Sequence, residues 1–233
     1  MENLLFIIFV IVIITIVVKK TKKKRRKGRG GRNGGSRQKS YSHGRSSTWQ
    51  KTKPSPEIIG AQGEKEVIFR LGDTIVGKQY MVNNLILRYG RQMTAQIDHV
   101  FINKYGIWVI ETKNLSGMIF GNKSQEKWTQ VLGYGAEKHK FYNPIMQNET
   151  HVTALRECLG EGLPMKNVVV FTKADLSRLE VGFVCDLRGL EQVIWEGPDV
   201  VLSVQQMEDI YKTLWRLKTN APSLEEHLKN ISN

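Results

Sequence analysis

Hydrophobic residues divide the chain into three stretches with different spacing. Leu4–Val18 is apolar apart from Thr15, residues 19–56 contain hardly an aliphatic side chain, and apolar residues beyond them recur with the periods of helices and strands. An unbroken apolar run suits a membrane-spanning helix, whereas a polar stretch buries too little surface to fold alone. The pattern predicts a transmembrane helix over residues 3–18, a disordered tether over 19–56, and a folded domain after it.

Basic residues directly after the apolar run set the expected orientation of the anchor. Ten of the fourteen residues from Lys19 to Arg32 are Lys or Arg. Positive charge favours the cytoplasmic side of a membrane, and a secretory signal peptide carries its basic residues before the apolar run. We therefore expect an uncleaved single-pass protein of the cell membrane, with its N-terminus outside and its globular domain in the cytoplasm. A cleaved signal is the alternative.

The net charge of +13 belongs to the tether and not to the domain. Fifteen Lys and Arg lie between Lys19 and Lys53 without an acid, whereas residues 54–233 hold 20 basic against 21 acidic residues. Such a tether is expected to bind the anionic headgroups of membrane lipid. The alternative is that it holds DNA or RNA by counterion release. The residues predicted for that contact are Lys22, Lys23, Lys24, Arg25 and Arg26.

The first half of the domain reads as a helix followed by three strands. Glu64, Val67, Ile68 and Leu71 occupy one helical face, and the helix is expected to end at Gly72. Residues 79–90 have the composition of a strand, and residues 96–103 and 106–113 form a hairpin around Lys104-Tyr105. Both hairpin strands are apolar on both faces, which is typical of a central sheet covered by helices.

Capping signals mark the helices in the second half. Asn143 with Pro144 opens one helix, Ser203 with Gln206 has the spacing of a capping box, and Ser223 opens a final short helix. Residues 168–172 and 179–187 read as strands. Cys158 and Cys185 lie in no CxxC or Cys/His spacing, so neither a disulfide nor a zinc site is predicted.

The hairpin places like charges opposite each other. With a two- or four-residue loop, Asp98 lies across from Glu111 and Gln96 across from Lys113, all on one side of the sheet. Two opposed carboxylates destabilise a sheet, and a divalent cation with the neighbouring ammonium would offset that cost. A bulge at Gly106 would instead shift the register by one residue and separate the acids.

These residue types fit metal-assisted cleavage of phosphodiesters. Asp98, Glu111 and a backbone carbonyl offer hard oxygen ligands for Mg²⁺, which would lower the pKa of a bound water. Lys113 would orient that water and stabilise the anionic transition state. The alternative is an ordinary ion pair between Lys113 and an acid at the end of a strand.

A series of motifs resembles the NERD (nuclease-related domain) family. The motifs are GxxGE at Gly60–Glu64, QIDHV at Gln96–Val100, GIWVIETKNLSGxIxG at Gly106–Gly121, Trp128, and NPxxQNxxH at Asn143–His151. The resemblance covers residues 57–165 and implies the PD-(D/E)xK nuclease superfamily. Its fold is α/β and restriction-endonuclease-like, with a mixed central sheet flanked by helices, and residues 166–233 would complete the domain here.

The resemblance also implies roles for single residues. Asp98, Glu111 and Lys113 would be the acid, acid and lysine of the core motif, and Glu64 would complete the shell of a Mg²⁺ or Mn²⁺ ion. Gln147 matches the glutamine that follows the core in RecB-like relatives. His151 stands where those relatives carry an aromatic residue, and it would contact phosphate, as Gln96 would contact nucleic acid. No Pro-Asp precedes the hairpin, a departure from the common pattern.

The sequence thus predicts a membrane-anchored, divalent-metal-dependent nuclease-like protein that hydrolyses DNA or RNA. The alternative is a catalytically inactive module of the same fold that binds nucleic acid or a protein partner. The near-neutral domain favours this alternative, because an efficient nuclease usually shows a basic groove.

Overall fold

The computed structural model describes residues 54–73, 78–179, 181–195 and 199–232. The predicted transmembrane helix, residues 3–18, and the tether up to residue 53 lie outside them. No helix within these described ranges is long and apolar enough to cross a membrane.

The described chain contains five helices and seven strands, with five of the strands in succession after the first helix. They are α1 (Pro56–Asp73), β1 (Tyr80–Tyr89), β2 (Met93–Asn103), β3 (Gly106–Phe120), β4 (Lys127–Leu132), a 3₁₀ turn (Gly133–Gly135), β5 (Glu137–Tyr142), α2 (Pro144–Leu159), β6 (Met165–Asp175), β7 (Val184–Asp186), α3 (Leu187–Trp195), α4 (Val204–Thr219) and α5 (Leu224–Ser232).

One mixed sheet organises the domain around its longest strand. Strands β1 to β5 pair in chain order and antiparallel, while β6 lies parallel to β3 and β7 parallel to β6. Strand β3 pairs with β2 along its first half and with β4 at its end, and β6 follows it on the other side. A mixed central sheet flanked by helices is therefore confirmed.

Alternating side chains of the β2–β3 hairpin fill two separate cores. Val100 and Val109 pack with residues of α2 and α4, including Val152 and Leu214. Their neighbours in sequence point the other way: Phe101, Trp108 and Ile110 pack with Val67 and Leu71 of α1 and with Leu190 and Ile194 of α3. Because both faces of these strands are buried, the strands are apolar throughout.

The hairpin has a two-residue loop, one of the two lengths that give the expected register. Ile102 pairs with Ile107 and Val100 with Val109, so no bulge at Gly106 shifts the register. Gly106 is required for another reason. Its φ is 141°, and a Cβ at this position would lie 2.8 Å from the carbonyl oxygen of Pro164. Glycine thus permits the segment before β6 to approach and to accept a hydrogen bond from Ile107 N.

The three predicted caps are confirmed. Asn143 accepts a hydrogen bond from Ile145 N at the start of α2, Ser203 and Gln206 form a reciprocal capping box, and Ser223 Oγ accepts from Glu226 N. Both described cysteines are free, as expected.

Several elements differ from the sequence-based expectation. The predicted strand over 179–187 is strand only at Val184–Asp186, and α3 follows it at once although Gly189 lies inside that helix. The β4–β5 pair was not predicted, because β5 is an exposed, mostly polar strand without an apolar alternation.

Candidate active site

The regular ladder is interrupted where the hairpin reaches Asp98. Backbone pairing between β2 and β3 runs to His99 and Ile110, and Asp98 and Glu111 are the next residues along the two strands. Asp98 Oδ2 accepts a hydrogen bond from Thr112 N at 2.8 Å. On the other side, the pairing of β1 with β2 skips Asp98 at Asn84, which has a φ of 50°. A left-handed residue within a strand is uncommon, and such irregularities re-aim side chains.

Glu111 is a buried carboxylate with one oxygen left without a hydrogen bond. Only 3% of its surface is exposed. Oε1 accepts from Lys113 Nζ at 2.6 Å, whereas Oε2 has no hydrogen-bond partner and lies 3.5 Å from His151 Nδ1. Leaving a buried charged acceptor unbonded costs more than the ~1–3 kcal/mol of a neutral group. A cation at Oε2 would remove this cost.

Lys113 connects the hairpin to helix α2. Its Nζ donates to Glu111 Oε1 and also to Gln147 Oε1, at 2.9 Å. Gln147, predicted only from the resemblance, thus contacts the lysine of the candidate core motif. The two acceptors hold the ammonium in place, so its position does not depend on a flexible side chain alone.

Buried asparagines fix α2 against the sheet, and sequence reasoning missed one of them. Asn148 is fully buried and donates to the carbonyl of Val109 and to Asn167 Oδ1. Asn143 donates to the carbonyls of the loop after β3, including that of Gln125. Asn148 lies within the NPxxQNxxH motif, but helix-surface amides are usually solvated, and only the packing of α2 on the sheet assigns its role.

Asn114 and Gly63 bring α1 close to the middle of β3, directly after Lys113. Asn114 Nδ2 donates to Ile59 O at 2.6 Å, and a Cβ at Gly63 would lie 2.7 Å from Asn114 Cβ. Glycine at position 63 is therefore required for this close approach, which carries the adjacent Glu64 toward the two acids.

The three predicted acids interact electrostatically. Burial, followed by the charge of Glu111, raises the pKa of Asp98 well above its ordinary value, and the hydrogen bond from Thr112 N opposes this shift. Burial and the Glu111 charge also raise the pKa of Glu64. Asp98 and Glu64 are thus harder to ionise beside Glu111, and a bound divalent cation would favour their charged forms.

The donor set fits a divalent metal, although the three-acid shell is not assembled. Within the described residues, no group of three or more His, Cys, Asp and Glu side chains is arranged to hold a metal ion. Asp98 and Glu111 nevertheless offer hard carboxylate oxygens of the kind that Mg²⁺ and Mn²⁺ bind, and Glu111 Oε2 is buried without a hydrogen bond. Glu64 approaches from α1 as a third acid.

The remaining predicted residues have different surroundings. His151 is 7% exposed, and burial lowers the pKa of its imidazole, so it is neutral near pH 7. Gln96 donates to Asn84 Oδ1 at 2.8 Å, whereas Lys113 has Glu111 and Gln147 as partners. The basic residues Lys22, Lys23, Lys24, Arg25 and Arg26 lie outside the described residues.

Comparison with known proteins identifies the family of the domain. Residues 59–172 match the model of the nuclease-related domain. An uncharacterized protein of Bacillus anthracis is 31% identical over 187 residues, which span 78% of this chain and 87% of the relative. The chain belongs to the NERD family. No solved structure matches it significantly.

Residues of the candidate site line two grooves of the NERD domain. The first, of ≈ 460 Å³, lies between β2, α2 and α5, and Asp98, Gln147 and His151 line it. The second, of ≈ 670 Å³, lies on the side of α1, where Lys113, Asn114 and Lys173 line it. The family match ends at residue 172, so α5, which supplies His227 and Ile231 to the first groove, lies beyond the matched segment.

Proposed function

We propose that this protein is a membrane-anchored, divalent-metal-dependent nuclease that hydrolyses phosphodiester bonds of DNA or RNA. The observation that carries the proposal is the buried Glu111 carboxylate, with Oε2 unbonded beside Asp98 and with Lys113 on Oε1. Membership of the nuclease-related domain family agrees with a nuclease-like function.

Each residue has a defined part in the proposed reaction. Asp98 and Glu111, with Glu64 from α1, would hold Mg²⁺ or Mn²⁺. The bound ion supplies Lewis acidity toward water and phosphate. Lys113, fixed between Glu111 and Gln147, donates to the charge that develops on the scissile phosphate. Gln147 acts by holding the ammonium, and the neutral His151 adds a hydrogen bond to a phosphate oxygen.

The N-terminal region is proposed to set where the enzyme acts. Residues 3–18 would anchor the chain in the cell membrane, and the tether of residues 19–56 would lie on anionic lipid. The charge of the tether supports this, since each basic residue near such a surface contributes ~1 kcal/mol. Protease treatment of intact cells should leave residues 54–233 uncut, and cleavage there would overturn the cytoplasmic placement.

A cleavage assay tests the enzyme. Full-length wild type, Glu111→Ala and Lys113→Ala are incubated with single- and double-stranded DNA and RNA in Mg²⁺, Mn²⁺ or EDTA. We expect cleavage by the wild type that requires metal and is lost in both variants. If the folded wild type cleaves none of these substrates, and calorimetry detects no metal binding, the proposed catalysis is refuted.

The competing function is a binding module of the same fold. It is favoured by the near balance of 20 basic and 21 acidic residues over 54–233, since nucleases usually present a basic groove. Under this function the protein would bind nucleic acid equally well with and without metal. Glu111→Ala would then leave binding unchanged.

A further inference from the structure

We infer that the substrate is single-stranded nucleic acid, and that an unstacked base of it enters the ≈ 460 Å³ groove between β2, α2 and α5. This inference rests on the proposed function of the same site. It names the class of substrate, and it applies to DNA and RNA alike because both expose bases when single-stranded.

The chemistry of this groove suits bases better than phosphates. Its lining includes the aromatic rings of Tyr89 and Tyr142 and the amides of Gln96 and Gln147. Tyr142 is 49% exposed, so its ring is available for stacking. No Lys or Arg occurs among the described residues that line the groove. Aromatic rings and amides recognise unstacked bases, whereas binding of a duplex depends on cations that contact its phosphates.

The opposite groove supplies the cations that the first one lacks. Lys113 and Lys173 line it, and Lys173 remains about half exposed although its Nζ lies 3.4 Å from Glu66. A nucleic-acid strand that crosses the middle of β3 would therefore have a base on the tyrosine side and the phosphates beyond the scissile one on the lysine side. Asp98 lines the first groove, and Lys113, whose Nζ donates to Glu111, lines the second.

Helix α5 limits the size of what the first groove accepts. His227 Nδ1 and Thr94 Oγ1 share a hydrogen bond of 2.8 Å, and Glu226 forms an ion pair with Arg88. These two contacts hold α5 at the start of β2. The groove volume of ≈ 460 Å³ lies in the range of small-molecule sites and suffices for one nucleoside. Since α5 lies beyond the family match, this restriction comes from the present chain's own C-terminal segment.

Binding to matched substrates tests the inference independently of cleavage. Fluorescence anisotropy in EDTA would compare full-length wild type, Tyr142→Ala and Tyr142→Phe on short single strands of DNA and RNA and on their duplexes. Tyr142→Ala should weaken single-strand binding about tenfold, as expected for one lost base–aromatic stack, while Tyr142→Phe retains it. Duplex binding should be weaker and unaffected by either change, and the tether contributes equally to every variant.

A crosslink locates the base. Single strands that carry 5-iodouracil are irradiated with the full-length protein, and the modified peptide is identified by mass spectrometry. We expect an adduct at Tyr142 or Tyr89. Tyr134, which is fully exposed in the turn between β4 and β5 and lies outside the groove, provides the matched control, and Tyr134→Ala should change neither the adduct nor the affinity.

The outcomes separate this inference from the proposed nuclease. Cleavage of duplex and single strand at equal rates, or affinity unchanged in Tyr142→Ala, would overturn the inference while the nuclease stands. Single-strand binding that depends on Tyr142, without any metal-dependent cleavage, would support the inference and refute the nuclease.

Discussion

The two ends of the β2–β3 hairpin bury polar side chains in opposite ways. Beside the turn, Asn103 is fully buried and every polar atom is bonded. Its Oδ1 accepts from Tyr105 N and from Trp108 Nε1, and its Nδ2 donates to Ile194 O. At the far end Glu111 is almost as buried, yet its Oε2 is unbonded and two further acids lie nearby.

This difference separates a structural residue from a candidate functional one. A buried polar group whose hydrogen bonds are all made stabilises the fold, whereas one left unsatisfied costs free energy unless something else binds there. Asn103 and Glu111 lie eight residues apart in the chain and belong to the same sheet. Burial alone therefore does not separate these two residues, but the unbonded carboxylate oxygen of Glu111 does.

The largest expected effect is on catalysis at the far end of the hairpin. Glu111→Gln removes a charge but keeps the shape of the side chain, so metal-dependent cleavage should fall by at least about a hundredfold. The free energy of unfolding, measured in urea, should change little, because the repulsion from the neighbouring acids and the ion pair with Lys113 are lost together. Glu208→Gln, which breaks an exposed pair with Lys212 on α4, is the control and should alter neither quantity appreciably. Cleavage retained by Glu111→Gln would show that Glu111 is structural, as Asn103 is.

The opposite effect is expected beside the turn. Asn103→Ala leaves Trp108 Nε1 and Ile194 O buried without partners, and the free energy of unfolding should fall by about 2–4 kcal/mol. Cleavage per folded molecule should not change. Asn230→Ala, which removes an exposed hydrogen bond to Gln92 O, should cost far less and serves as the control. A loss of activity in folded Asn103→Ala would remove the distinction between the two ends.

Ionisation of Asp98 should give the far end a characteristic pH dependence in EDTA. The folded-state pKa of Asp98 lies above its ordinary value of 3.8, so the folded protein takes up this proton first as pH falls. As the pH falls from the raised pKa to about 3.8, wild type should therefore gain stability relative to Asp98→Asn. At neutral pH the variant should be the more stable protein. Over this pH range, the free energy of unfolding of wild type relative to Asp98→Asn should change by about 1.4 kcal/mol for each unit by which the pKa of Asp98 is raised.

Metal should reverse that difference at neutral pH. Mg²⁺ at about a hundred times its dissociation constant would stabilise wild type by about 2.7 kcal/mol, and Asp98→Asn much less. Thermal melts of both proteins with Mg²⁺ and with EDTA measure this. Equal responses of the two proteins would exclude Asp98 as a ligand.

The smallest expected effect belongs to His151. It is neutral and buried, and its Nδ1 is 3.5 Å from Glu111 Oε2, too far for a strong hydrogen bond. His151→Gln should reduce cleavage less than tenfold and change the free energy of unfolding only slightly. A reduction as large as that in Glu111→Gln would place His151 in the core of the reaction.

Local patterns in the sequence determined the hairpin register, the three helix caps and the positions of Asp98, Glu111 and Lys113 in the strands. These features depend on residues close together in the chain, where alternation and capping chemistry act directly. The anchor and tether follow from composition in the same way, and they stay predictions.

The tertiary structure alone decided which distant residues surround those acids. The packing of α2 on the sheet brings Gln147 to Lys113, and the close approach at Gly63 brings Glu64 toward Glu111. Helix α5 lines the same groove as Asp98, although the two are more than a hundred residues apart in the chain. Periodicity shows that a helix has a buried face but not which strand that face covers. That choice depends on long-range packing and on buried hydrogen bonds such as those of Asn148, which only the assembled fold contains.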